Sequence, residues 1–289
     1  MKVSGFSFIR NAVKFDYPIV EAINSILTIC DEFIIAVGNS EDETLALIKS
    51  INSPKIKIIE TVWDDRLRKG GRVLALETNK ALKQISADSD WAFYIQGDEV
   101  VHEKYLPAIR EAMEKWKDKP QVEGLLFKYK HFYASYDYIA NSRDWYKKEI
   151  RIIRNLPGIK SYKDAQGFRL DDRKIKVKPI DAYIYHYGWV KHPEFQKEKY
   201  QNFNALYRDD EWLKENIPEL KEFDYSEIDT LKKFEGSHPK VIQDRVNKMN
   251  WKLNFDPEKD NRRLPSKLLH AFEKATGWRI GEYRNYKII

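Results

Sequence analysis

Three short stretches of this 289-residue chain hold side chains that could do chemistry together. In "WAFYIQGDEVV" an apolar run, Trp91 to Ile95, opens onto Gln96, Gly97 and two adjacent carboxylates, Asp98 and Glu99. A carboxylate at the end of a buried strand can ligate a hard divalent cation such as Mg²⁺ or Mn²⁺, which in turn neutralises a diphosphate. The same residues suit a helix cap equally well, with Asp98 or Glu99 starting the next helix. In "AYIYHYGWVKHPE", His186 sits between aromatic neighbours. Such a histidine is more often a packed structural residue, yet neutral imidazole also completes oxygen-rich metal sites, and Gly188 permits close backbone approach. In "SYKDAQGFRLDDR", Asp164 falls in a polar loop, where it suits a general base or an Asx-turn. Arg143, Arg151, Arg154 and Arg169 form a fourth group able to hold phosphate bidentately. The alternation in "EIRIIRN" turns at least one of Arg151 and Arg154 toward solvent.

Those residues need a scaffold, and the first hundred residues supply one. Lys2 to Ile9, Glu32 to Val37, Lys55 to Glu60 and Trp91 to Ile95 read as strands, nearly continuous in apolar residues. Helical patterns separate them. Asp16 with Pro18 predicts an N-terminus for the first helix, and Ser40 with Glu43 has capping-box spacing for the second. A third helix is expected from about Arg72 to Ile85. This alternation predicts a parallel α/β sheet covered on both faces, with ligands bound at the carboxyl ends of its strands. Gly38-Asn39-Ser40, Asp64-Asp65 and Gln96 to Glu99 then surround one crevice. No GxGxxG follows the first strand, which disfavours a dinucleotide-binding domain. Beyond a helix near Glu103 to Lys117, long aromatic strand candidates imply mixed or antiparallel additions to the sheet. From Pro193 onward helical signals dominate.

Composition narrows the class. Hydrophobic residues at 42% and charged residues at 33% describe an ordinary globular chain. The net charge of +6 is spread through mixed runs such as "KEKYQ" and "DNRRLPSK", which read as solvated helix faces, so nucleic acid is not an expected partner. A single cysteine, Cys30, precludes an intrachain disulfide. With no long apolar run either, a cytoplasmic protein is expected, with peripheral membrane contact left open.

On these residues the chain resembles glycosyltransferases of the GT-A fold, family 2 type. That family follows its second strand with a loop of the form DDGSTDGT, and "VGNSEDET" keeps Ser40, Asp42 and Thr44 of it. Asn79, Ala81 and Leu82 match an Asn, small residue and Leu pattern in the third helix. The metal-binding Asp-x-Asp that ends the fourth strand corresponds to Gln96-Gly97-Asp98, followed by Glu99. "WYKKEIRIIRN" resembles the segment before the acceptor loop in family 2 lipopolysaccharide-type transferases.

The resemblance spans roughly residues 1 to 190. It implies a mixed sheet flanked by helices, in a domain over 1–205, while the helical signals of the remainder predict a mainly helical extension over 206–289 that the family pattern does not explain. It also implies transfer of a sugar from a nucleotide-diphosphate donor to an acceptor hydroxyl, glycan or lipid-linked, with inversion. Asp98 and His186 would hold Mn²⁺ or Mg²⁺, and Asp164 would be the base. Phe8, Arg10, Asn11, Ser40 and Gln96 would meet the donor, with Arg72 or Lys69 as a further phosphate contact. Gln96 stands where the family carries an acid, and Val37 and Gly38 replace its strand-two acids. A non-catalytic sugar-binding descendant is therefore the alternative.

Overall fold

A computed structural model of the chain describes residues 1–64, 66, 67, 69–216 and 222–289. Asp65, one of the crevice candidates, and the side chain of Lys69 lie outside the described residues. Strand and helix alternate at first: β1 (Val3–Ile9), α1 (Ile19–Leu27), β2 (Glu32–Gly38), α2 (Thr44–Lys49), β3 (Ile56–Thr61), α3 (Arg72–Leu82) and β4 (Trp91–Tyr94). All neighbours among these four strands are parallel. Next come β5 (Glu99–Val101), α4 (Leu106–Lys117), β6 (Gly124–Tyr133), β7 (Tyr138–Ala140) and β8 (Lys148–Arg154). β8 lies antiparallel between β4 and β6, so the sheet is mixed, as the aromatic strands imply.

A small separate sheet holds β9 (Ile159–Tyr162), β10 (Gly167–Leu170) and β11 (Arg173–Lys174). The long β12 (Lys176–Trp189) returns parallel to β6 and takes β5 antiparallel. The remainder comprises α5 (Pro193–Ala205), α6 (Asp210–Asn216), β13 (Leu231–Lys233), α7 (Gln243–Asn247), α8 (Leu264–Thr276) and β14 (Lys287–Ile288). Residues 206–289 thus add helices, but they also add strands: β13 joins β7 and β14 joins β12.

Helices cover both faces of the sheet, which is why its strands read as unbroken apolar runs. Phe33, Ile35 and Val37 pack in one layer with Ile19 and Ile23 of α1 and Ile109 and Met113 of α4. Ile34 and Ala36 face the other way, toward Val73, Leu74 and Leu82 of α3. The expected caps are different. Asp16 has a left-handed backbone and pairs with Arg245, and Pro18 precedes α1. Ser40 and Glu43 make no capping box; instead Asp42 Oδ1 accepts the Thr44 N–H at 3.0 Å.

One buried ion pair sits at the hub. Glu99 and Arg151 have no solvent exposure. Arg151 Nε donates to Glu99 Oε2 at 2.7 Å and Nη2 donates to Oε1 at 2.7 Å, while the Tyr129 hydroxyl adds a third donor at 2.7 Å. Burying one of these charges without the other costs about 3–5 kcal/mol. Arg151→Leu should therefore lose about that much in urea unfolding, and Arg151→Leu with Glu99→Leu should recover most of it. A double variant no more stable than Arg151→Leu would contradict the pairing.

Candidate active site

The crevice lies where α/β sheets bind ligands, at the carboxyl ends of β1, β2 and β4. A cavity of about 530 Å³ there brings together Phe8, Arg10, Asn11, Gln96, Asp98, Asp164 and His186. Two expected residues lie outside its lining. Ser40 instead shapes its wall, since its hydroxyl donates to Gly38 O at 3.0 Å and accepts the Asn11 N–H at 3.0 Å. Arg72 is exposed on the first turn of α3, and Asp64 is paired with Arg66.

The segment after β4 does not take the helix-cap form. No helix starts at Asp98 or Glu99; β5 does, and the following helical turn is capped by His102. Glu99 turns inward to Arg151 and accepts the Gln96 N–H at 3.1 Å. Asp98 is thereby left facing the cavity. Gly97 has a reason as well, because a Cβ there would meet Ile9 Cδ1 at 2.9 Å. Gln96 is held loosely, its amide 3.4 Å from the Ala165 carbonyl and from the Tyr94 hydroxyl.

Asp98 and His186 stand close together at the cavity wall. His186 Nε2 lies 3.6 Å from Asp98 Oδ2. A Cβ on Gly188 would fall 2.6 Å from that oxygen and 2.7 Å from that nitrogen, so glycine keeps the cradle between them open. A hydrogen-bond chain fixes the imidazole. His131 Nε2 faces the Tyr146 carbonyl at 2.8 Å, and a carbonyl only accepts, so this nitrogen carries the proton. Burial, with His186 adding to it, keeps His131 neutral by pushing it well below the ordinary histidine value. Its Nδ1 then accepts from His186 Nδ1 at 3.1 Å, so that the neutral form of His186 turns its Nε2 lone pair to the cavity.

Lys199, on α5, completes the cluster. Its ammonium donates to the Gly188 carbonyl at 2.6 Å and to Asp98 Oδ2 at 3.2 Å. Burial alone would raise the Asp98 carboxyl, but Lys199 and then His186 outweigh it and hold the group well below the usual carboxylate range. Lys191, fully buried nearby, is pushed down to about 7 by its burial and by Lys199. Among the described residues no three His, Cys, Asp or Glu side chains cluster as a metal site. Asp98 and His186 nevertheless fit a divalent cation as a two-ligand set, since Mg²⁺-type ions commonly take one or two carboxylates with substrate phosphates and waters filling the rest.

At the other end of the cavity stands Asp164, in the turn from β9 to β10. Lys163 and Ala165 on either side have left-handed backbones, φ 55° and 63°. The Tyr207 hydroxyl donates to Asp164 Oδ2 at 3.3 Å. Asn79 braces this turn from α3, accepting the Ser161 N–H at 2.7 Å and donating to its carbonyl at 3.3 Å. The third wall is aromatic. Trp63 lies against Phe8, with ring centroids 5.9 Å apart, and Arg10 stacks over its indole at 5.5 Å. Gly38 admits the indole, since a Cβ there would meet Nε1 at 2.3 Å.

Sequence reasoning missed Trp63, Gln196, Lys199 and Tyr207, all in the lining. "KEKYQ" reads as a solvated face, yet Gln196, Lys199, Tyr200 and Phe203 follow i, i+3, i+4, i+7 spacing and all turn to the cavity. That spacing was the available signal. A boundary at 205/206 would cut the lining itself, because Ala205, Leu206 and Tyr207 belong to it. The arginine group does not assemble as a phosphate clamp. Arg143 pairs with Glu273 and Arg151 with Glu99. Arg154 donates to the carbonyls of Trp116, Lys117 and Val122, and Arg169 to that of Asn285.

No protein-family model and no curated protein sequence matches the chain. Solved structures with a similar fold include TarS of S. aureus, at 18% identity over 70% of this chain and 39% of that one, with a TM-score of 0.40. A second is the 4-diphosphocytidyl-2C-methyl-D-erythritol synthase of Anaerococcus prevotii, at 15% identity, 71% and 95% coverage, and 0.40. A third is the glucosyl-3-phosphoglycerate synthase of Mycobacterium tuberculosis in complex with Mn²⁺, uridine diphosphate and phosphoglyceric acid, at 19%, 46% and 43%, and 0.30. The chain spans less than half the length of TarS and of the mycobacterial synthase. The likeness is one of fold.

The brace on the Asp164 turn is open to a direct check. Asn79→Ala should cost about 1–2 kcal/mol and speed amide exchange over residues 160–165, while exchange in β1 to β4 stays as in the wild type. Unchanged exchange over 160–165 would remove Asn79 from this role.

Proposed function

We propose that this chain is a GT-A glycosyltransferase that transfers a sugar from a nucleotide-diphosphate donor to an acceptor hydroxyl. The observation that carries the reading is the meeting, within one cavity, of the adjacent Asp98 and His186 with a separate carboxylate, Asp164. The stacked wall of Phe8, Trp63 and Arg10 suits a nucleobase, an apolar face beside a guanidinium. When bound at Asp98 and His186, a Mn²⁺ or Mg²⁺ ion neutralises the charge that develops on the diphosphate leaving group.

The protein's own groups do the rest. Lys199 brings a second positive charge to the same end of the cavity, and its contact with Asp98 keeps that carboxylate ionised. Gln96, uncharged where a carboxylate would repel phosphate, offers donor and acceptor atoms to the ribose. Asp164 takes the proton of the attacking hydroxyl, and the Tyr207 hydroxyl holds the carboxylate in place for it. Attack from the Asp164 side, opposite the diphosphate, inverts the anomeric centre. The reaction belongs to glycan synthesis in this reading, in the cytoplasm or on a membrane surface facing it.

Two variants separate the roles. Asp98→Asn should abolish the Mn²⁺-dependent part of uridine or guanosine diphosphate binding in calorimetry. Asp164→Asn should bind as the wild type does, yet lower donor turnover by about 10²–10⁴-fold. Gly188→Ala, which closes the cradle, should imitate Asp98→Asn without changing the melting profile. A wild type that binds no nucleotide diphosphate with or without metal would end the proposal. One that binds but neither transfers nor slowly hydrolyses any donor would support the sugar-binding alternative, which the loss of an acid at Gln96 favours.

A further inference from the structure

The carboxyl-terminal segment presents a surface that the crevice does not use. Among the described residues, eight of the fifteen exposed large hydrophobic side chains lie between Leu264 and Ile288. Leu264 and Leu268 are 77% and 72% exposed, and Trp278 is 60% exposed. In α8 the residues Leu264, Leu268 and Phe272 recur every fourth position, so they form one stripe along the helix. Only Glu273 of α8 is buried, and it is the tether: it binds Arg143 and Lys147 of the body. The helix is thus held from one side, with its apolar stripe in solvent. Trp278 continues the stripe beyond the helix and touches Phe272, with ring centroids 6.0 Å apart.

Charge singles out the same segment. Residues 261–289 hold seven Lys and Arg against two Glu, most of the chain's net +6. One of those two acids, Glu273, is turned inward. Arg263, Lys267 and Lys274 stand exposed beside the stripe. A helix with leucine, phenylalanine and tryptophan on one side and lysine and arginine beside them matches a bilayer interface, where apolar side chains enter the acyl boundary and ammonium groups meet lipid phosphates. A second copy of the chain would bring the same positive charge against it, whereas an anionic lipid surface is complementary. Among the described residues no helix is long and apolar enough to cross a membrane, so the contact is a surface one.

We propose that α8 and the segment through Trp278 dock this protein on an anionic lipid surface. The far end of the segment lies beside the turn that carries Asp164, since the Tyr283 ring is 5.9 Å from the ammonium of Lys163, the preceding residue in the chain. Docking therefore sets the Asp164 turn close to the lipid.

The test is co-sedimentation of the full chain with vesicles. Binding to mixed phosphatidylcholine and phosphatidylglycerol vesicles should exceed binding to pure phosphatidylcholine by at least about tenfold and weaken in high salt. Leu264→Ser with Leu268→Ser should lower it at least about tenfold at low salt with no change in melting temperature, because both side chains are already in solvent. Arg263→Glu with Lys274→Glu should remove the preference for the anionic vesicles. Absence of binding to the mixed vesicles, or binding that the leucine variant leaves intact, overturns the proposal. A dimer in light scattering that the leucine variant dissociates overturns it too, by giving the stripe to a second copy. None of these readouts depends on transferase activity.

Discussion

A guanidinium with no access to water organises this molecule. Arg151 enters from the antiparallel strand β8 and meets Glu99 at the start of β5, and the pair fixes how the chain turns after β4. With Glu99 drawn inward, its neighbour Asp98 is presented to the cavity. Arg151 Nη1 also donates to the Gln166 carbonyl at 2.9 Å, and Gln166 lies two residues from Asp164. One side chain therefore ties down both ends of the crevice. The cost of burying it is offset by the number of its partners, since two carboxylate oxygens and two carbonyls accept from it. Burial makes the arrangement rigid for the same reason, because any displacement would leave a charge unpaired in a medium of low dielectric.

The electrostatics of the cavity follow from what that pair removes. With Glu99 neutralised and Gln96 uncharged, Asp98 is the carboxylate at the head of the site, and Lys199, Lys191 and His186 crowd around it. Such a balance suits a ligand that brings its own negative charge. The hydrogen-bond chain from Tyr146 through His131 to His186 fixes the orientation of the imidazole beside Asp98.

Much of the layout was legible in the residues. The parallel strands announce themselves because β1, β2 and β4 are buried on both faces, with Lys57 and Glu60 exposed only on the edge strand β3, and their carboxyl ends locate the crevice. Asp98, Asp164 and His186 were recognisable as candidates, and the cavity brings them together. Their surroundings were less visible, since contacts between residues distant in sequence leave no local pattern. The alternation in "EIRIIRN" sends at least one of Arg151 and Arg154 to solvent without saying which, and the antiparallel insertion of β8 buries Arg151 fully. Lys199 sits in a charged run that resembles solvent-facing helix, and its burial follows from a helix that folds back over β12's end. The misread caps at Asp16 and Ser40 have the same origin: both residues are engaged by distant partners, Arg245 and Asn11, that outweigh a local preference.

Helix α5 has a further consequence as a measuring rod. Lys199 grips Asp98 and Tyr207 grips Asp164. The two are eight residues apart, Lys199 within α5 and Tyr207 in the turn just past its end at Ala205. The spacing between the Asp98 and Asp164 ends of the crevice is thus counted out along α5 and the turn that closes it, whereas the loops that carry the two carboxylates belong to different sheets. Loop sequences can drift and alter what is held without changing that gap. A single residue inserted between Lys199 and Tyr207 would instead swing the tyrosine through about 100° and carry it off its carboxylate. The length of α5, more than the identity of any loop, is what the spacing of this site cannot tolerate losing.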